Sequence, residues 1–524
     1  MKKLFAAIIL IILALLSVSC GYKSGTDKTN TDNTDKISTA DGHTAVTEES
    51  DMKNENLFDS LKIDGRDIAE FRLIGVGSIT DNTEIFSEIE RVLGRKFARA
   101  DAKSNGAHYI IYDDTSLIAN GFEIKVENGD LVIFGSYNTI AEAGKYFTET
   151  FLPSLSAKSR DYNITSADNV KIETEKKSVY TKEELYKVLE YVYNDDEHFI
   201  FGQEIGKSPE SPSTVIEDFY GASGKKPSII GADLACYGYK LRENSENRSY
   251  WSKLICEYVD YAAQGGIITL SSHFRNPTGN YENEWANVRG NLGREEAWEK
   301  LLTEGSEYNV PFKEELALDG EFLAALRDNG VPVIWRPLHE MNGGFFWYGI
   351  MQDGGYTLDA SYFVRLWKYI YTYYTDELGL DNLIWEYSPN LSNGNYADTM
   401  YCYVGDDYCD LVSLDWYTSG NYEIGGSGKS YEKIMKTGKI SSLSEFGIQK
   451  ELVAEDPEYQ DRIFSAMNIL DNAEKMIDDG YKISYILTWN AKDSIRKLKK
   501  GDKLMATGKM LSLDDMPTVF DKLR

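Results

Sequence analysis

Eight short runs rich in β-branched residues recur from residue 199 onward, and helical stretches separate most of them. The runs are "FIFG" (199), "SIIGAD" (228), "GIITLSSH" (266), "VPVIWRPLHE" (331), "NLIWEYSPN" (382), "DLVSLDWY" (410), "ISSLSEFG" (440) and "ISYILTWN" (483). Between them lie "RSYWSKLICEYVDYAAQ", "GEFLAALRDNG" and "PEYQDRIFSAMNILDNAEKMIDDG", which carry helical periodicity. Eight strands alternating with helices over about 340 residues fit a (β/α)8 barrel with insertions, a fold of roughly 250 residues at its core. A doubly wound open sheet is the structural alternative. The strand ends favour the barrel, because in seven of the eight runs a carboxylate, His, Tyr, Asn or Trp stands at the C-terminal end, where barrels build their active sites. The longest interval separates the third and fourth runs and contains "RNPTGNYENEWANVRGNLGREEAWEK", a candidate wall for a cleft on that face.

A barrel leaves the first third of the chain to explain. "MKKLFAAIILIILALLSVSC" sets two lysines before an apolar run of about 15 residues, which reads as a secretory segment and is short for a membrane span. Ser17, Val18 and Ser19 before Cys20 resemble the bacterial lipobox, so Cys20 is the expected lipidation site and 1–20 the signal segment. Residues 21–50 contain almost nothing apolar and read as a disordered tether. The folded part is then expected outside the cell, anchored to a membrane by lipid. Residues 51–157 read as a small α/β domain: "EIFSEIERVLG" is helical, "HYIIYDD" a strand, and "GFEIKVENGDLVIFG" a hairpin about an Asn-Gly turn. It shows no catalytic set, and its His108 reads as a packed or surface residue. A linker spans 158–180, and the barrel domain spans 181–524. The fold class expected is therefore α/β, a (β/α)8 TIM barrel preceded by a small α/β domain.

Net charge limits the partners. At −28 the chain lacks the clustered basic surface that nucleic acid needs, while 36 Tyr and 9 Trp suit flat faces that stack on sugars. After Cys20 the cysteines are Cys236, Cys256, Cys402 and Cys409, whose spacing is no zinc pattern. Free or structural thiols are expected, and the chain is expected to be a monomer.

Two carboxylates stand out. Glu340 ends the fourth run and Glu445 the seventh, 105 residues apart, which is three βα units of about 35 residues. Strands four and seven face each other across a barrel. Two glutamates so placed can lie about 5 Å apart, the separation at which one protonates a leaving oxygen while the other attacks an anomeric carbon.

"RPLHEMNGGFFWYG" closely resembles the fourth-strand motif of glycoside hydrolase family 26, the β-mannanase family. "FGQE", "IGADL", "GGIITLSSHFRNP", "WEYSPN", "DLVSLDWY", "SEFG" and "LTWN" match family segments in the same order, over about residues 198–490. The resemblance implies Glu340 as general acid/base and Glu445 as nucleophile. It implies that His339 contacts sugar hydroxyls beside the scissile bond, the alternative being a tautomer-fixing neighbour of Glu340, and that His273 lines the same subsite. Tyr417 would hydrogen-bond the nucleophile and help keep it ionised, with Asp415 as a polar support or sugar ligand. Trp489 would be the platform for the cleaved sugar. Phe345 stands where the family commonly has Trp; it and Trp347 are expected sugar contacts, and both would desolvate Glu340. Arg336 would either orient Glu445 or close a buried ion pair.

These roles imply a retaining endo-β-1,4-mannanase acting on mannan, glucomannan or galactomannan without metal or organic cofactor. Two other readings stay open: a β-1,3-xylanase or mixed-linkage β-glucanase of the same family, and a non-hydrolytic oligosaccharide-binding lipoprotein.

Overall fold

The computed structural model describes residues 56–79, 83–177, 179–205, 211–234, 245–279, 288–352, 356–391, 396–418, 427–448, 457–489 and 494–524. Cys20 and the tether lie outside the described residues, as does Cys236.

All eight runs become strands of one parallel sheet. We number them β1 (Phe199–Glu204), β2 (Ile229–Asp233), β3 (Ile267–Ser272), β4 (Val333–Pro337), β5 (Leu383–Tyr387), β6 (Leu411–Val412 and Asp415–Thr418), β7 (Leu443–Ile448) and β8 (Tyr485–Thr488). Each pairs with its sequence neighbour, and β1 pairs with β8. The stretch through β6 bonds on both sides, Ser413 N–H to the Tyr387 carbonyl and Leu414 N–H to that of Ser442, so the sheet closes into a barrel. Strands β1 to β5 are buried at every residue, as expected of strands covered by side chains within and helices without.

The barrel interior is not purely apolar. Glu204 ends β1 beside Gly231 of β2, and a Cβ at Gly231 would collide with the Glu204 carboxylate. Lower down, Glu386 of β5 accepts from the Tyr485 and Ser413 hydroxyls.

Residues 57–172 build a smaller layer with its own core, so most of the expected linker 158–180 belongs to it instead. Asp161–Ile164 pairs with Ser60–Ile63, Val170–Ile172 pairs with residues 122–124, and Ile164 is buried in that core. A six-stranded sheet runs in the order Ala98–Arg99, Phe71–Val76, His108–Asp113, Asp130–Gly135, Phe122–Glu127, Val170–Ile172. Its hairpin turns at Asn128 and Gly129, with φ of 54° and 81°, the left-handed pair that a two-residue turn demands. Phe86, Ile89, Phe147, Phe151 and Leu152 of the helices pack on the sheet. Asn329 fastens this layer to the barrel: its amide donates to the Leu117 carbonyl at 2.8 Å and its carbonyl accepts from Ala119 N–H at 2.8 Å. Asn329 precedes β4, so this fastening lies at the end of the barrel opposite the strand C-termini.

Cys256, Cys402 and Cys409 are buried free thiols. Among the described residues no helix is long and apolar enough to cross a membrane.

Candidate active site

Strand β4 ends at Pro337, and the chain turns sharply. Leu338 and Glu340 both adopt left-handed conformations, with φ of 52° and 57°, on either side of His339. Side-chain-bearing residues avoid this region at a cost of about 1–3 kcal/mol each, so the surroundings must hold the turn. They do so through β5: Glu340 N–H donates to the Ser388 carbonyl at 2.8 Å. Asn342 ties the loop after β5 from the other side, accepting from Asn390 N–H at 2.8 Å and donating to the Asn390 and Ala397 carbonyls. Thus fixed, Asn390 donates its amide to Glu340 Oε1 at 2.8 Å.

Glu445 is the third residue of β7, in register with Asp415 of β6. Arg336 Nη2 donates to Glu445 Oε1 at 2.6 Å, and the Tyr417 hydroxyl donates to Oε2 at 2.8 Å. The Nη1 group of Arg336 grips both oxygens of Asp415, at 2.8 and 3.1 Å. Ser388 and Ser444 hydroxyls donate to the same Asp415 Oδ1. One carboxylate oxygen from each of Glu340, Asp415 and Glu445 lies within 4.8 Å of the others. The Arg336 guanidinium meets the charge of two of the three, bonding both Asp415 and Glu445.

The two glutamates therefore differ in environment. Glu340 is half-buried and takes its hydrogen bond from the neutral Asn390 amide. Its carboxyl is pushed well above the ordinary range, first by burial and then by repulsion from Glu445 and Asp415, against the opposing pull of Arg336 and Asn390. Burial likewise lifts Asp415, with Arg336 opposing the lift.

A chain of imidazoles reaches Glu445 from the side. His273, just past β3, receives Asp233 of β2 at both its backbone N–H and its ring Nδ1. Its Nε2 lies 3.2 Å from Nε2 of His339, which in turn lies 3.7 Å from Glu445 Oε1. Phe346 packs against both rings, at centroid distances of 4.7 and 5.4 Å, and half-buried Trp489 stands 6.3 Å from His273.

Glu340, Glu445, Arg336, Tyr417, His273, His339 and Trp489 thus gather at the C-terminal ends of the strands. Two expected sugar contacts do not reach the cleft. Trp347 is 0% exposed, packs against Phe312 and Trp298, and donates its indole N–H to the Phe274 carbonyl at 2.6 Å. A ring so enclosed has no face to offer a sugar, and the phenols that feel the Glu340 charge are Tyr348 and Tyr396 instead. Asp415 is also 0% exposed with both oxygens engaged, so of its two expected roles it fills polar support, not sugar ligand. Phe345 is 40% exposed with the Arg289 guanidinium 4.3 Å above its ring. The long segment between β3 and β4 is pinned here, through an Arg289–Phe346 bridge and a bond from Trp347 N–H to the Val288 carbonyl.

Four residues of the site went unread in the sequence. Asp233 and Glu204 each carried a signal, a carboxylate at a strand end in "IGAD" and "FGQE". Asn390 carried one in "SPN". Phe346 carried none, standing among four consecutive aromatics.

Comparison with known proteins completes the description. Residues 176–501 match the family model described as glycosyl hydrolase family 26. A mannan endo-1,4-beta-mannosidase of Bifidobacterium adolescentis is 28% identical over 371 residues, which cover 67% of this chain and 35% of that protein. A mannan endo-1,4-beta-mannosidase of Bacillus subtilis is 32% identical over 232 residues, covering 44% of this chain and 59% of that protein. The chain thus spans less than two thirds of the length of both curated relatives. The solved structure of the Bacillus subtilis mannanase man26 superposes with a TM-score of 0.51 at 25% identity, covering 64% of this chain and 92% of that one.

Proposed function

Because the chain belongs to glycosyl hydrolase family 26, we propose that it is a retaining endo-β-1,4-mannanase acting on mannan, glucomannan or galactomannan. The observation that carries this reading is the pair Glu340 and Glu445, with carboxylate oxygens within 4.8 Å and opposite surroundings. Retaining glycosidases hold their carboxyls about 5–5.5 Å apart, whereas inverting enzymes need about 6.5–9.5 Å to admit a water.

In the first step the Glu445 carboxylate bonds to the anomeric carbon as the glycosidic C–O bond breaks. Glu340, raised by burial and held protonated, gives its proton to the departing oxygen. Arg336 and Tyr417 fix the orientation of the attacking carboxylate. In the second step Glu340, now a carboxylate, takes a proton from water. The resulting hydroxide oxygen bonds to the anomeric carbon, the ester bond to Glu445 breaks, and the β-configuration is restored. His273, His339, Phe346 and Trp489 line the side on which the cleaved sugar would rest.

The two mannan endo-1,4-beta-mannosidases to which the chain is similar support mannan as the polymer. Protein from residue 51 onward should release mannobiose and mannotriose from linear mannan. Release from β-1,3-xylan or barley glucan, with none from mannan, would replace the substrate. Binding of mannooligosaccharide without any cleavage would replace the enzyme by a binding protein. The sequence "SVSC" and the polar stretch after it further support a lipid-anchored protein at the cell surface, held through Cys20.

A further inference from the structure

The Asp233, His273, His339 chain has a direction that its geometry fixes. Asp233 Oδ1 accepts the backbone N–H of His273 at 3.1 Å, while Oδ2 faces the ring Nδ1 of the same residue. A carboxylate in this position only accepts, so the hydrogen of that contact sits on Nδ1. At the far side of the ring, Nε2 of His273 and Nε2 of His339 are 3.2 Å apart, a separation that holds one hydrogen and not two. All three residues are buried, which leaves few alternative arrangements.

We propose that Asp233 is a positioning residue: it holds neutral His273 with its hydrogen on Nδ1, and the bare Nε2 of His273 thereby keeps the hydrogen of His339 on Nε2. The hydrogen on His339 then lies between the lone pair of His273 and Glu445 Oε1, 3.7 Å away. Reversing the chain would turn a bare His339 nitrogen toward the Glu445 carboxylate, setting lone pair against negative charge at Oε1. The kinetic consequence rests on the mannanase reading; the tautomer does not.

Asp233→Asn tests the direction, because the amide cannot simply substitute. Its oxygen must accept the backbone N–H of His273, so its NH2 group faces Nδ1 and drives the ring into the opposite tautomer. The chain has five histidines. Ring 15N spectra of the histidine-labelled protein, with His273 assigned by signal loss in His273→Gln, should show a pyrrole-type Nδ1 and a pyridine-type Nε2. In Asp233→Asn the two should exchange, and kcat on mannan should fall at least tenfold with KM little changed.

Asp233→Ala separates positioning from packing. It deletes more volume than Asn but imposes no donor, so it should retain more kcat than Asp233→Asn. A merely structural aspartate predicts the reverse order. A doubly protonated His273 or a bare Nδ1 in the wild-type spectrum overturns the proposal, as does a variant order in which Ala is worse than Asn. If no polysaccharide is cleaved at all, the mannanase reading fails and the spectra still decide the tautomer.

Discussion

Arg336 and Glu445 meet at 2.6 Å with both side chains almost wholly removed from water. Of the two roles expected for Arg336, it performs both, since its second nitrogen closes an ion pair with Asp415. Its guanidinium favours the charged forms of Glu204 and Asp415, against burial and the repulsion of Glu445. Replacing it with Met leaves buried carboxylates uncompensated, so Arg336→Met should lose about 3–5 kcal/mol of stability. Urea unfolding measures this. Adding Asp415→Asn should return part of the loss, because one of the stranded charges is then gone.

A second buried carboxyl makes stability depend on pH. Asp319, on the helix Asn309–Asp328, is pushed up to about 7, chiefly by burial, with repulsion from Asp233 adding and Ser272 and Arg275 opposing. Its value in the unfolded chain is about 3.9. Between the two, the unfolded chain gives up a proton that the folded chain keeps. Its contribution is therefore full below about pH 4, falls as pH rises toward 7, and is flat above, a total of roughly 4 kcal/mol. Asp319→Asn should remove this slope. The difference in unfolding free energy between variant and wild type should grow in favour of the variant between about pH 4.5 and about pH 7.5.

Two neighbouring aromatics should separate folding from binding. Trp347 fills the space between Phe312 and Trp298, so Trp347→Ala should cost about 3–5 kcal/mol of stability. Phe345, with its ring exposed, should cost less than about 1 kcal/mol when cut to Ala. Its loss should instead raise KM for polymer several-fold. A large drop in stability for Phe345→Ala would place that ring in the core.

These two residues also mark where the sequence stops being legible. The barrel was readable because buried β-branched runs and polar strand ends repeat eight times, and Glu340 and Glu445 because their spacing counts whole βα units. "FFWY" has no such rhythm: it is a turn, and the rings that face inward are chosen by its bridge to residues 288 and 289. Asp415 shows a different limit. The two-residue period puts it on the same face of β6 as Tyr417, but periodicity says nothing of depth. Asp415 is wholly buried, with both oxygens held by Arg336 and one also by Ser388 and Ser444. The carboxylates of Asp233 and Glu204 stood at strand ends too, yet only the distance to their partners distinguishes a support from a reacting group.

The N-terminal expectation is tested without any structure. If Cys20 carries lipid, cells expressing the full chain should incorporate a palmitate analogue into it, and Cys20→Ala should abolish the label. An unlabelled wild-type protein would remove the anchor.

The roles of Glu340 and Glu445 predict different defects, and that makes them the sharpest test. Glu445→Ala removes covalent catalysis for every substrate, so the rate should fall by several orders of magnitude whatever the leaving group. Glu340→Ala should cripple hydrolysis of polymer, since a sugar alkoxide leaves poorly without a proton. An aryl mannoside with a nitrophenolate leaving group needs no proton, so its first step should survive. The glycosyl-enzyme should then accumulate, visible as a burst of nitrophenol and as added mass on the protein, because no base activates water. Azide needs no base, and should restore turnover of Glu340→Ala with a β-glycosyl azide as product. In Glu445→Ala azide enters the space the carboxylate has left and attacks directly, giving the inverted α-azide. A β-azide from the Glu445 variant and an α-azide from the Glu340 variant would exchange the two roles, and wild-type-like activity in both variants would take these glutamates out of the mechanism.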